Sequence, residues 1–261
     1  MEHKRFKSAL RRVPRSWSRL AGPISLMTIT LTLLAAPVFA QERVDHPLGE
    51  LEYLPSPTGV LIAAPHGTYD ANTAPIAIAV ARKLGAGFVV ARRFTADGKR
   101  INVNRPTEGA GLTCQREYRT RRAQEIYGLY TQAVGAAALN RPLRLYVEIH
   151  GNSEPRTSQT IEIATTGISR SEASSLSAAY PDILGRNRRQ IPAYPEIGVL
   201  IEPLDRVYFE AACAKSIGIF SIDLVPRVMH FELPRSTRMG EAQEGTAQLI
   251  AEIVRRFLVK P

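Results

Sequence analysis

The residues of this chain best suited to chemistry are few and far apart. It has five histidines: His3, His46, His66, His150 and His230. The last three each end or lie within a hydrophobic run of strand character, and each has an acid close by. His66 follows "VLIAAP" and precedes Asp70. His150 closes "LRLYVEIH", two residues after Glu148. His230 stands in "RVMHFELP", two residues before Glu232. Side chains alternate in direction along a strand, so Glu148 shares a face with His150, and His230 shares one with Glu232. Met229, Phe231 and Leu233 then point the other way, into apolar packing. A glutamate set between Phe231 and Leu233 is costly to bury unless something positive meets it. Two imidazoles and a carboxylate suit zinc, which in catalytic sites keeps three protein ligands and one position for water. Bound zinc lowers the pKa of that water to about 7, and a nearby glutamate can carry the proton to a leaving amine. A single histidine at a strand end would serve equally well in a structural hydrogen bond; the grouping is what points to a metal.

These residues converge only if their strands end at one edge of a sheet, which is where open α/β sheets place function. Val60–Ala64, "GFVVA", "LRLYVEIH", "QTIEIATT" and "RVMHFELP" have strand character. Between them, "NTAPIAIAVARKLG" has helical apolar spacing and a glycine stop at Gly85. "REYRTRRAQEIYGLYTQAVGAAAL" is a long amphipathic helix with Tyr127, Tyr130 and Val134 on its apolar face. "EPLDRVYFEAACAKSIG" and "EGTAQLIAEIVRRFLV" are also expected to be helical. Strands alternating with helices predict a mixed α/β sheet covered on both faces. The stretch 153–195, rich in Ser, Arg, Pro and Gly, is expected to form loops around a site. "NVNRP" adds Asn104 and Arg105 at a further strand end.

The first forty residues are set apart from this domain. A basic start, an apolar stretch over roughly 24–36 and "PVFA" before Gln41 have the order of a secretory signal peptide. The apolar stretch is shorter than the about 20 residues a membrane span needs, so no lasting membrane anchor is expected. Arg11-Arg12 hints at twin-arginine export, though its surroundings fit poorly. The segment carries seven basic residues and one acid, so of the chain's +10 charge only +4 belongs to residues 41–261. That weakens any case for nucleic-acid binding. The remaining 221 residues suit a single domain, periplasmic or secreted. Cys114 and Cys213 could pair in an oxidising compartment or stand as separate thiols.

The order "APHGT", "NVNRP", "RRAQEIYGLY", "VEIHG" and "HFELPR", spanning Val60 to Arg238, resembles the N-formylglutamate amidohydrolase family. That family is related to the zinc carboxypeptidases. The resemblance implies their hydrolase fold, phosphorylase/hydrolase-like: a mixed, twisted sheet with helices on both sides. It implies one zinc ion with His66 and His150 as ligands and Asp70 as the acidic ligand. Arg105, with Asn104, would hold a substrate carboxylate, since arginine meets it in bidentate geometry. Glu232 would be the general base. The zinc carboxypeptidases space the first pair as His-x-x-Glu, whereas His66 and Asp70 are one residue further apart, so Glu148 is a rival third ligand. Otherwise Glu148 and His230 would support the ligands from behind. The family's role in histidine breakdown belongs inside the cell. An exported relative is expected to cleave an N-acyl amino acid or a small cell-wall peptide bearing a carboxylate.

Glu162 is expected to face outward on its alternating strand, and Arg92-Arg93 to be a solvated pair. A non-enzymatic alternative keeps the fold and uses Arg105 and the basic loop 186–189 ("RNRR") to hold an acidic ligand. A serine hydrolase is disfavoured, because no Gly-x-Ser-x-Gly elbow is present.

Overall fold

Central strands buried on both faces need continuous apolar runs, and β-strand residues Val60–Ala64 are buried throughout. The computed structural model describes residues 39–109 and 114–258 of the chain. The elements in order are β1 (Glu42–His46), β2 (Gly49–Leu54), β3 (Val60–Ala64), α1 (Thr73–Leu84) and β4 (Gly87–Arg92). Three short strands follow, β5 (Thr95–Ala96), β6 (Lys99–Asn102) and β7 (Thr107–Glu108), then α2 (Arg121–Ala137) and β8 (Leu145–Gly151). The chain continues through β9 (Thr160–Thr166), α3 (Arg170–Gln190), β10 (Gly198–Ile201) and α4 (Ala212–Ile217). It closes with β11 (Val228–Leu233), α5 (Arg235–Arg238) and α6 (Ala242–Leu258).

Eight strands form one mixed sheet in the order β1-β2-β4-β3-β8-β11-β9-β10. The four in the middle, β4, β3, β8 and β11, run parallel, so their carboxyl ends share one edge. β2 and β9 flank them antiparallel. One face of the sheet packs Val60, Ile62, Val147, Ile149, Met229 and Phe231 against α1, α3 and α6. The other packs Leu61, Ala63, Tyr146 and Val228 with residues of α2, including Tyr130 and Val134. The α/β sheet with helices on both faces, expected from the alternation of elements, is the observed fold.

Three local expectations are corrected. The stretch 153–195 is not mainly loop, since α3 runs for 21 residues. Ser169 caps it with Glu172 in a reciprocal capping box. Ala173, Leu176, Tyr180, Ile183 and Leu184 bury one stripe beneath an otherwise polar surface. The basic "RNRR" stretch is the last turn of this helix. Second, only Ala212–Ile217 of "EPLDRVYFEAACAKSIG" is helical. Third, α2 begins at Arg121, where the Thr120 side chain accepts from the Ala123 amide. The export signal expected over 1–40 falls almost wholly on residues outside those described. Among the described residues no helix is long and apolar enough to cross a membrane.

Candidate functional site

The parallel register of β8 and β11 sets the site. It pairs Glu148 with His230 and His150 with Glu232, side by side across the two strands. All four point to the α2 side, because their neighbours Val147, Ile149, Met229, Phe231 and Leu233 fill the opposite core. His66 lies two residues beyond the end of β3, the strand on the other side of β8. The Asp70 amide donates to the His66 carbonyl at 2.8 Å, a tight turn that brings the Asp70 carboxylate back over the histidine. Asn104 and Arg105 arrive from the segment after β6. All of these site residues except Glu148 line a cleft of about 440 Å³ with Arg100, Glu117, Asn152, Tyr208 and Phe209, among others.

Asp70 Oδ2 sits 3.5 Å from His66 Nδ1 and 3.3 Å from His150 Nδ1. Ligands about 2.0–2.1 Å from a tetrahedral zinc lie roughly 3.3–3.4 Å from one another, so this spacing fits the ion. His66, Asp70 and His150 form one buried group able to hold a metal, and Glu148, His150 and His230 form a second. Burial holds the His66 pKa down at about 3, so the ring is neutral and can offer a nitrogen lone pair. Its Nδ1 turns to Asp70, and among the described residues its Nε2 has no hydrogen-bond partner. His150 differs. Burial disfavours its charged form, but Asp70 and Glu148 outweigh this and raise its pKa to about 9. The charged ring stands between the two carboxylates, Nδ1 toward Asp70 and Nε2 toward Glu148.

Glu148 lies beneath the cleft without lining it and is fully buried. Its Oε2 accepts from Asn104 Nδ2 at 3.0 Å, and lies 2.9 Å from His150 Nε2 and 3.3 Å from His230 Nδ1. Its Oε1 accepts from the Tyr146 hydroxyl at 3.0 Å, which in turn pairs with Tyr130 at 2.8 Å. Burial pushes its carboxyl up, but hydrogen bonds from His150 and His230 outweigh this and hold it below the usual range. His230 stacks on His150, 4.2 Å between ring centres, and its Nε2 lies 3.2 Å from Glu232 Oε1. Among the described residues Glu232 makes no ion pair with a lysine or arginine.

Arg105 is already engaged. Its Nε and one terminal nitrogen donate to both oxygens of Glu117, at 2.7 and 2.5 Å, and the other donates to Asn104 Oδ1 at 2.9 Å. Nothing in the sequence flagged Glu117, since twelve residues without periodicity separate it from Arg105. Arg100 was missed for a similar reason, lying in a turn-like "DGKRIN" stretch. Among the described residues its guanidinium makes no hydrogen bond, and its one carboxylate neighbour within 4 Å is Asp70, 3.9 Å away. The outward Glu162 expected above is a correction. It is 2% exposed and accepts from the backbone amides of Tyr208 and Phe209, at 3.0 and 3.1 Å. It thereby fixes the aromatic wall of the cleft. Arg92 and Arg93 are not simply solvated; they pair with Glu52 and Glu50. Cys114 and Cys213 are joined by a disulfide that ties the segment before α2 to α4 in the same wall.

No protein-family profile matches the sequence, and no curated protein matches it. Solved structures of similar fold exist. A bacteriophage poly-gamma-glutamate hydrolase superposes with a TM-score of 0.44 at 9% identity, covering 81% of this chain and 90% of that one. A gene product of Agrobacterium tumefaciens gives 0.45 at 12% identity, over 78% and 91%. A metallo-carboxypeptidase from Burkholderia cenocepacia gives 0.39 at 14% identity, over 82% of this chain and 64% of that one. These are distant likenesses.

Proposed function

We propose that the chain is an exported zinc-dependent amidohydrolase or carboxypeptidase-like peptidase, akin to the N-formylglutamate amidohydrolases. The observation that carries it is the meeting of His66, Asp70 and His150 in one cleft with Glu232, whose carboxylate contacts His230 and, among the described residues, no lysine or arginine. His66, Asp70 and His150 would hold the ion. Glu148 is set aside as a ligand, because its oxygens are spent on Asn104, Tyr146 and the two histidines. Its role is to fix the His150 ring from behind, the usual arrangement for a ligating histidine. When bound, zinc supplies a Lewis acid that activates water and polarises a carbonyl.

The rest is done by the chain. Glu232 takes a proton from the attacking water and passes it to the leaving amine. His230, wedged between Glu148 and Glu232, holds that carboxylate in place. Arg100 and Arg105, with Asn104, give the cleft a cationic side for a substrate carboxylate. Arg100 has the donors to spare, and Arg105 must share Glu117. Substrates of this shape are N-acyl amino acids and short cell-wall peptides. Export accords with the disulfide, which persists in oxidising compartments. Nucleic acid has no place in this reading. The non-enzymatic alternative loses its second device, since Arg186 pairs with Glu252 and Arg188 with Glu196 on a helix across the sheet.

The test is metal content of protein purified without chelator, with hydrolysis of an N-acyl amino acid and cell-wall peptide panel. One zinc per chain and chelator-sensitive turnover are expected. Absence of bound zinc after zinc addition would overturn the reading.

A further inference from the structure

Arg238 is 4% exposed, yet among the described residues it has no carboxylate partner. Its guanidinium is spent on backbone carbonyls alone: Nε donates to Leu233 at 3.1 Å, one terminal nitrogen to Ala71 at 2.5 Å, the other to Asn152 at 3.0 Å. These carbonyls belong to three separate segments. Ala71 follows Asp70, Asn152 follows His150 by two, and Leu233 follows Glu232. Asn72 closes the arrangement by donating its side-chain amide to the Arg238 carbonyl at 2.8 Å. Room for the guanidinium comes from Gly151, where a Cβ would lie 2.3 Å from Arg238 Cζ.

We infer that Arg238 is a positioning residue that holds the Asp70, His150 and Glu232 segments in register, so that the candidate metal centre and its base are pre-assembled. This rests on the function proposed above. The physical reason is geometric. A planar guanidinium presents five N–H groups in a fixed fork, so it can bind three carbonyls from three directions at once. A lysine keeps the charge but offers one nitrogen on a flexible stem and cannot span them. Loops carrying site residues have few contacts of their own, and small displacements of ligands weaken a metal site.

The experiment compares wild type, Arg238→Lys, Gly151→Ala and Leu249→Ala. Leu249 is fully buried in α6, away from the cleft, and its variant serves as a destabilised control. Amide hydrogen exchange is read first on the metal-free proteins, because it needs neither zinc nor substrate. The Asp70 and Asn152 amides, which bond to His66 and Leu233, should exchange at least about 10-fold faster in Arg238→Lys and Gly151→Ala. Amides within β3 and β8 should match the control. Zinc affinity, by competition with a chelating dye, should fall about 10- to 100-fold in both variants and stay near wild type in Leu249→Ala. Unchanged local exchange and affinity in a folded Arg238→Lys would overturn the inference. Failure of both site variants to fold would also overturn it, leaving only a general stability role. If the metal-free exchange pattern holds but wild type binds no zinc, the proposed function fails and the clamp stands.

Discussion

The two faces of the sheet are built from the same strands and could hardly differ more. Toward α1, α3 and α6, β8 and β11 present Leu145, Val147, Ile149, Met229, Phe231 and Leu233, all buried and apolar. Toward α2 the same strands present apolar Val228 and then Tyr146, Glu148, His150, His230 and Glu232, also buried but joined by hydrogen bonds. The lesson is that burial alone does not separate core from site. One face is held by packing that tolerates no voids. The other packs against α2 as well, but toward the carboxyl ends of β8 and β11 its packing gives way to a polar network, in which each group relies on its neighbour to offset desolvation.

Removing one member from each face tests this division, beginning with the largest effect. His150→Ala should abolish most zinc binding and nearly all turnover, since it removes a ligand and the partner of Glu148. Full zinc occupancy in that variant, by elemental analysis, would break the assignment. Glu232→Gln keeps shape and hydrogen bonding but cannot accept a proton. Zinc should remain while turnover drops by at least about 100-fold. Near-normal hydrolysis with normal zinc would end the general-base role.

Phe231→Ala, between His230 and Glu232 but facing the other way, should do the reverse. It should cost about 3–5 kcal/mol of stability in denaturant unfolding, with zinc affinity of the folded fraction unchanged. A selective loss of zinc there would mean the faces are not independent.

The metal-free protein adds a pH signature. His150 is raised to about 9, so its charged form stabilises the fold below the unfolded value near 6.5, and this is lost as pH rises through about 9. His66, held at about 3, acts oppositely, weakening the fold as pH falls below about 6.5. Metal-free Tm should therefore be highest near pH 6.5, fall on the acid side as His66 resists its proton, and fall across about 6.5 to 9 on the alkaline side as His150 loses its own, and His150→Gln should lose that alkaline decline. A wild-type alkaline limb identical to that of His150→Gln would count against the buried imidazolium. The smallest effect belongs to Arg186→Ala, on an exposed pair across the sheet, which should change stability by under about 1 kcal/mol and leave ligand binding alone.

How far the sequence carried this picture depended on the kind of order involved. Period-two alternation in "VEIHG" and "MHFELP" correctly placed Glu148 with His150 and His230 with Glu232, because strand geometry leaves no other choice. The parallel pairing that sets His150 beside Glu232 is a long-range fact that alternation cannot express. Alternation also failed for Glu162. It has the pattern of a solvent-facing residue, but the loop 207–209 folds over it and supplies two amides. The α3 stripe was masked by serines and arginines on its exposed surface, and by Pro181 within the helix. Contacts such as Arg105–Glu117 and the three carbonyls of Arg238 join segments with no shared periodicity, so no local pattern announces them.

The Cys114–Cys213 bridge bears on how the protein should be made. It fastens the wall of the cleft, not the two packed cores, so thiol reduction spares the hydrophobic framework and frees the segment carrying Glu117 from α4. Material produced in a reducing cytoplasm would pass as folded by circular dichroism while its cleft lacked one fixed side. An assay of the proposed hydrolysis on such a preparation would read low until it is reoxidised, and a mass check for the two cysteine hydrogens would tell the two preparations apart.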